Sequence, residues 1–441
     1  MADYKYCLNN QKSQTLALMK KIFLLIIILG LTINIFAQDH PYLPTQTPIT
    51  LLSANDGETA PFDLTTPDGL ADWNLKRKDS FTVIQLGPDH PPIIKTVYDR
   101  APVTIWGTPS MAMSKNGRYG LIANHGFRNS RFSSIVYPKG VPLTNKDLTP
   151  ELLRRQELPA HRANMVSLID LSTPDYKIVH RVLFNDYPFH ILAHPDGEHF
   201  VVGASENFYV FKIENQNLVL VSKNPQKHGH PCFWISPNGK RIIATQNHGK
   251  EETCTVQWYS MENNVIKHLS TVEIADGVDT KLLDTSMILR ISLDGKIALI
   301  CQRSVPSGLD FCDIPIVDLT LDKPAITSVI KQVADGVESF AFHPNGKMAV
   351  VTGLGKPTNC IGVIDIASKP ARLLYTIDAK AIGQGIEFTP QGDKLFVGSA
   401  TSARIEVFDV IGDYELRKNP KFLRVGYGHS SLTIGPRYQA K

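Results

Sequence analysis

A hairpin motif that recurs six times constrains the fold of this chain more than any other feature. Each copy has a short apolar strand, a turn ending in glycine and a second apolar strand, as in Ile235-SPNGKRIIATQ and Phe342-HPNGKMAVVTG. Asn-Gly, Asp-Gly and Gln-Gly pairs at the tips supply the positive φ that a tight turn needs. A repeat of this kind predicts an array of similar structural units. The turn glycines are Gly117, Gly197, Gly239, Gly295, Gly346 and Gly392.

Each hairpin is followed by two further strands, which together predict the architecture. The third strand is rich in Val, Ile and aromatic residues and ends near an aspartate, as in Ile361-GVIDI and Ile405-EVFDV. The fourth strand is more polar. Four antiparallel strands that repeat every 40 to 55 residues or so are typical of β-propeller blades.

The two ends of the chain complete one more blade. Ser430-SLTI is predicted to be an inner strand, and Ile49-TLLSAND, Phe81-TVIQLG and Ile93-IKTVYD are predicted to be the second, third and fourth strands. We therefore predict an all-β fold, a single seven-bladed β-propeller whose last blade combines one C-terminal and three N-terminal strands. This closure leaves no free sheet edge.

The N-terminal segment has the composition of a secretory signal peptide. Lys20 and Lys21 precede an apolar run that ends at Ala37, which is the usual order of such peptides. We predict a signal peptide over 1–37 with translation starting at Met19, a linker over 38–48 and the propeller over 49–437. An uncleaved N-terminal anchor is the alternative. No other stretch is apolar enough to span a membrane, so a secreted or periplasmic protein is expected.

Charge and motifs exclude several function classes. The formal net charge of +4 falls when residues 1–37 are removed, because they contain four lysines and one aspartate. No basic run remains, so no nucleic-acid partner is expected. The sequence contains no GxSxG, P-loop or HExxH motif and no GxGxxG after a strand. Its cysteines form no CxxC pair, which argues against a thiolate zinc site.

Propeller topology places the start of each inner strand and the end of each second strand at one mouth of the central channel. Two predicted insertions, 57–78 and 125–164, leave the blades at the same mouth, and such insertions often carry function. By contrast, His194 and His343 precede Pro-x-Gly turns on the opposite face, and we interpret them as structural. The polar residues at the mouth include Asn55, Asp56, His125, Arg128, His190, His230, His248, Arg303, Glu338, Gln384 and His429.

Three chemistries can use a mouth rich in His and Arg. The first is acid–base work on a sugar acid or lactone, with His230 or His125 as base and with Glu338 either orienting a histidine or acting as base itself. Arg128 and Arg303 would hold a carboxylate bidentately. The second is a divalent metal held by several imidazoles, and the third is recognition of an anionic ligand without turnover. The other residues predicted to bind substrate are His190, His248, Gln384 and His429.

The hairpins resemble those of a known superfamily. Ile235-SPNGKRIIATQ, Phe342-HPNGKMAVVTG and Phe388-TPQGDKLFVGSA, followed by third strands such as Ile361-GVIDI, are similar to blades of the lactonase-type, or YVTN-type, propellers. The likeness covers nearly all of 49–437. It implies the fold more specifically than it implies an activity.

One branch of that superfamily, the bacterial phosphogluconolactonases, opens inner strands with a Gly-His-Pro motif and uses His, Arg and Glu at the mouth. Gly229-His230-Pro231 resembles this opening, and Arg303 and Glu338 would be the analogues by position. The insertion at 125–164 and the export signal depart from the pattern of that branch. The resemblance therefore implies a lactonase-like scaffold rather than a sugar-phosphate substrate.

The leading functional hypothesis is an exported, monomeric, lactonase-like protein that acts on or binds a carboxylated sugar or lactone, with no cofactor required. One alternative is a uronic-acid polysaccharide lyase that uses His, Tyr and Arg at the mouth to neutralise the carboxylate and abstract the α-proton. The other is a non-catalytic surface scaffold whose loops bind a partner, because fold does not determine function.

Overall fold

The structure is a computed structural model in which every regular element described is a β-strand. Among the residues it describes, no helix is long and apolar enough to cross a membrane. The described residues are 42–57, 79–98, 101, 109–124, 164–227, 232–245, 255–273, 288–301, 312–334, 336–353, 360–379, 383–400 and 402–439.

The strands pair into seven four-stranded antiparallel sheets, which are the blades of a propeller. Blade one contains β4 (Met111–Met113), β5 (Tyr119–Asn124), β6 (Met165–Asp170) and β7 (Ile178–Leu183). Blade two contains β8 (Pro188–Ala193), β9 (His199–Ala204), β10 (Asn207–Glu214) and β11 (Asn217–Pro225). Blade three contains β12 (Phe233–Ile235), β13 (Arg241–Thr245), β14 (Thr255–Glu262) and β15 (Val265–Glu273). Blade four contains β16 (Ile288–Ile291), β17 (Ile297–Cys301), β18 (Cys312–Asp318) and β19 (Ala325–Ala334). Blade five contains β20 (Val337–Phe342), β21 (Met348–Gly353), β22 (Cys360–Asp365) and β23 (Arg372–Asp378). Blade six contains β24 (Gly383–Phe388), β25 (Lys394–Ser399), β26 (Arg404–Ile411) and β27 (Glu415–Arg424).

Blade seven joins the two ends of the chain. Its strand order is β28 (His429–Pro436), β1 (Ile49–Asn55), β2 (Ser80–Leu86) and β3 (Ile93–Tyr98). The C-terminal strand pairs antiparallel with β1 over the whole length of β1. The predicted all-β, seven-bladed fold, closed by one C-terminal and three N-terminal strands, is confirmed.

The hydrophobic core lies in the seams between blades rather than along one central layer. Seven buried clusters each combine residues of two neighbouring blades. In β21, Ala349 and Val351 pack toward blade four, whereas Met348 and Val350 pack toward blade six. Both faces of this second strand are therefore buried, which explains why its residues are almost continuously apolar.

Two histidines connect the hairpin turns of neighbouring blades. All six turn glycines have positive φ. His194 Nε2 donates to the carbonyl of Gly239 in the next blade (3.0 Å), and His343 Nε2 donates to the carbonyl of Gly392 (2.8 Å). These contacts confirm the interpretation of both histidines as structural residues.

Candidate functional site

Glu338 and Gln384 form the polar contact that the structure places at the start of two adjacent inner strands. Glu338 is the second residue of β20 in blade five, and Gln384 is the second residue of β24 in blade six. Gln384 Nε2 donates to Glu338 Oε2 at 3.1 Å. Both residues are only 7% exposed. The structure thus brings together two of the residues that the sequence predicted at the mouth.

The carboxyl group of Glu338 is held in its neutral form. Burial raises the pKa of Glu338 to about 8, against the smaller opposing effect of the hydrogen bond from Gln384. Desolvation disfavours a carboxylate because the interior replaces water with a medium of lower dielectric constant. At neutral pH this side chain is therefore mostly a carboxylic acid, which can donate a proton as well as a hydrogen bond.

The amide of Gln384 has unused hydrogen-bonding capacity. Its Oε1 atom is buried and has no hydrogen-bond partner among the described residues. A buried acceptor without a hydrogen-bond partner destabilises the folded protein, because its desolvation is not compensated. A ligand hydroxyl or a water that donates to this oxygen would remove that penalty.

His429, the first residue of β28, is enclosed in the wall of blade seven. The Ser53 hydroxyl donates to Asn55 Oδ1 (2.8 Å), so His429 Nδ1 donates to Ser53 Oγ (2.8 Å). A Cβ at Gly398 would overlap the imidazole ring, so the ring depends on that glycine for space. Burial lowers the pKa of His429 to about 3. Its predicted contact with substrate stays a prediction.

The remaining predicted site residues are distributed more widely. His190 is buried on β8 in blade two, where its ring centroid lies 6.4 Å from that of Phe233. That position is three blades away from Glu338, so contact with the same ligand stays a prediction. Five predicted residues lie outside the described residues: His125, Arg128, His230, His248 and Arg303.

A charged pair on the inner strands of blades four and six was missed by the sequence interpretation. Arg290 Nη2 donates to Glu387 Oε2 at 2.8 Å, and the guanidinium lies 4.8 Å from the centroid of the Trp234 ring. These three residues each precede the turn glycine of their blade by five positions, where other blades carry alanine or leucine. Charged side chains at an otherwise apolar inner-strand position were the signal that could have identified them.

A small cavity borders this charged pair. Arg290, Glu387 and Trp234 line it together with inner-strand residues that include Pro109, Ser339, Gly385 and Leu432. Ser339 and Gly385 directly follow Glu338 and Gln384 in sequence, but neither member of that pair lines the cavity. Among the described residues, no group of three or more His, Cys, Asp or Glu side chains could hold a metal ion.

Comparison with solved structures agrees with the architecture. The periplasmic gluconolactonase of Pseudomonas aeruginosa is 14% identical, with a TM-score of 0.59 over 88% of this chain and 99% of that chain. A candidate 6-phosphogluconolactonase of Bacteroides fragilis is also 14% identical, with a TM-score of 0.56 over 89% of this chain and 99% of that chain. The predicted likeness to lactonase-type propellers is confirmed for the fold.

The same fold also occurs in proteins with other names. Hydrazine synthase of Kuenenia stuttgartiensis is 15% identical, with a TM-score of 0.50 over 74% of this chain and 91% of that chain. No protein-family model and no curated protein matches the sequence. Identities this low carry the fold alone, so activity has to be argued from the site.

Proposed function

We propose that this protein is a lactone hydrolase that opens a sugar lactone at the channel mouth, with Glu338 as proton donor. The observation that supports this proposal is the buried Glu338 carboxyl, paired with Gln384 and kept neutral by a pKa of about 8. A carboxylic acid that stays protonated at neutral pH is the form that general acid catalysis needs.

The reaction needs few groups. Water adds to the carbonyl carbon of the lactone, the bond between that carbon and the ring oxygen breaks, and the ring oxygen takes up a proton. The product is a hydroxy acid, which ionises and releases one proton to the solution. Glu338 would protonate the ring oxygen as it leaves, and Gln384 Oε1 would accept a hydrogen bond from a sugar hydroxyl.

The other roles follow the sequence predictions. His230 or His125 would take a proton from the attacking water, and Arg128 and Arg303 would hold the carboxylate of a sugar acid. His190, His248 and His429 would complete the substrate contacts. Structural neighbours named as gluconolactonase and candidate 6-phosphogluconolactonase favour lactone opening over the other chemistries considered for this mouth.

We further propose that the protein acts outside the cytoplasm as a monomer. The signal peptide predicted over 1–37 supports export, and a neighbour of the same architecture is named periplasmic. The expected ligand is a small anionic sugar acid or the lactone from which it forms, and neither a nucleic acid nor a required cofactor is part of the proposal.

Proton release from a panel of aldonolactones and uronolactones tests the proposed activity. We expect turnover by the purified protein and a loss of at least about 100-fold in kcat/KM for Glu338→Gln, the typical contribution of a general acid. Activity should also fall as the pH rises through 8, because the neutral acid is lost. Glu415→Gln, which changes an exposed carboxylate on β27, is the control.

Two other results would replace the proposal. An unsaturated, ultraviolet-absorbing product from uronic-acid oligosaccharides, without lactone turnover, would establish a lyase. The absence of turnover with either class, together with macromolecule binding that Glu338→Gln leaves intact, would establish a scaffold.

A further inference from the structure

The inner strands of blades five and six are connected by hydrogen bonds at successive positions along the two strands. At the second residue of each strand, Gln384 Nε2 donates to Glu338 Oε2. One residue further along both strands, the Gly385 N–H donates to Ser339 Oγ at 3.1 Å. The two strands belong to different sheets, so side chains have to provide these connections.

Arg290, on a third blade, provides the next connection between these two strands. It lies on β16 in blade four, and its Nη1 donates to the carbonyls of Phe340 (2.8 Å) and Ile386 (3.2 Å). These carbonyls belong to the residues two positions after Glu338 and Gln384. One guanidinium group therefore connects the strands that carry both members of the pair.

Two neighbours hold the guanidinium in place. Glu387 accepts from Arg290 Nη2 at 2.8 Å, and the side chains of these two residues are only 14% and 15% exposed. The guanidinium carbon of Arg290 lies 4.8 Å from the centroid of the Trp234 ring. Hydrogen bonds from a charged donor are stronger than neutral ones, and the planar guanidinium of arginine holds its donors in a fixed fork, a geometry that the compact ammonium of lysine does not reproduce.

We propose that Arg290 is a positioning residue that fixes the separation of β20 and β24 and thereby keeps the Glu338 carboxyl enclosed beside Gln384. Its catalytic consequence rests on the proposed lactone hydrolysis, but its geometric consequence does not. The pKa of Glu338 is set by burial and by the hydrogen bond from Gln384. Loss of Arg290 would therefore act by loosening the enclosure of the carboxyl group.

Infrared titration of the protonated Glu338 carboxyl measures this enclosure without any substrate. The band is assigned by its absence in Glu338→Gln. We expect the midpoint of about 8 to fall by about one unit or more in Arg290→Lys, a tenfold or larger change in the ionisation constant. The double variant Arg290→Gln with Glu387→Gln should show the same shift without leaving a lone buried charge.

Lys394→Met is the matched control. Lys394 lies on β25 of blade six, its side chain is 12% exposed, and its Nζ is 2.8 Å from Asp409 Oδ1. This substitution removes an ion pair whose cation is about as buried as Arg290 from the blade that carries Gln384, and it should leave the midpoint unchanged. Circular dichroism and thermal unfolding establish that each variant is folded.

The outcomes separate this inference from the proposed activity. Folded Arg290 variants that titrate with the wild-type midpoint would overturn the positioning role, whatever the lactone assay shows. A lowered midpoint in a protein without lactone turnover would keep the positioning role and reject the proposed reaction. If both hold, kcat should fall in Arg290→Lys with a smaller change in KM.

Discussion

His429 is a titratable side chain that the fold keeps uncharged. Its ring is fully buried between Gly398 and the Ser53 hydroxyl, and this burial lowers its pKa from 6.5 to about 3. The unfolded chain binds a proton at this position more readily than the folded chain does. The free energy of unfolding is therefore expected to fall as the pH drops below 6.5, and the loss continues until about pH 3.

Replacement of the imidazole tests this pH dependence. The wild-type protein should lose about 2 to 3 kcal/mol through His429 between pH 8 and pH 4.5, and His429→Gln should not show this part of the loss. Denaturant unfolding at both pH values measures the difference. Parallel pH profiles for the two proteins would mean that His429 does not titrate between the folded and unfolded states.

The turn glycines of neighbouring blades have the same backbone conformation but different surroundings. Gly346 and Gly392 occupy the same turn position in blades five and six, with φ of 71° and 79°. A Cβ at Gly346 would meet nothing within 4 Å, whereas a Cβ at Gly392 would overlap the His343 ring. The two glycines therefore share a backbone requirement but differ in their neighbours.

Alanine substitutions at the two turns should separate these effects. Gly346→Ala should cost about 1 to 2 kcal/mol for the left-handed backbone alone. Gly392→Ala should cost about 1 to 3 kcal/mol more because His343 must move. In a His343→Ala background this additional cost should disappear, as a double-mutant cycle measures. Equal costs for the two glycines in the wild-type background would contradict the role of His343.

At the scale of the whole molecule, the ring is closed by strands from opposite ends of the chain. β28 is the inner strand of blade seven and pairs only with β1 in its sheet. Leu432 also packs with residues of blade six in the seam between blades six and seven. Closure therefore completes one sheet and buries one seam at the same time.

Deletion of residues 429–441 should prevent this closure. We expect loss of a cooperative thermal transition and self-association in size-exclusion chromatography, because β1 then becomes an unpaired edge. Deletion of 439–441 retains all of β28 and should leave both measurements unchanged. A monomeric, cooperatively unfolding chain without β28 would show that the other six blades are stable alone.

The sequence by itself determined the seven blades, the strand that closes the ring and the placement of Glu338 and Gln384 at the starts of two inner strands. These features follow from local patterns, namely turn glycines and strand periodicity, combined with the topology they imply. The tertiary structure decided which polar residues meet. The contact between Glu338 and Gln384, and the reach of Arg290 from blade four to blades five and six, depend on the curvature of the ring and on side-chain direction. No spacing along the chain encodes either of these, because the residues concerned belong to different sheets.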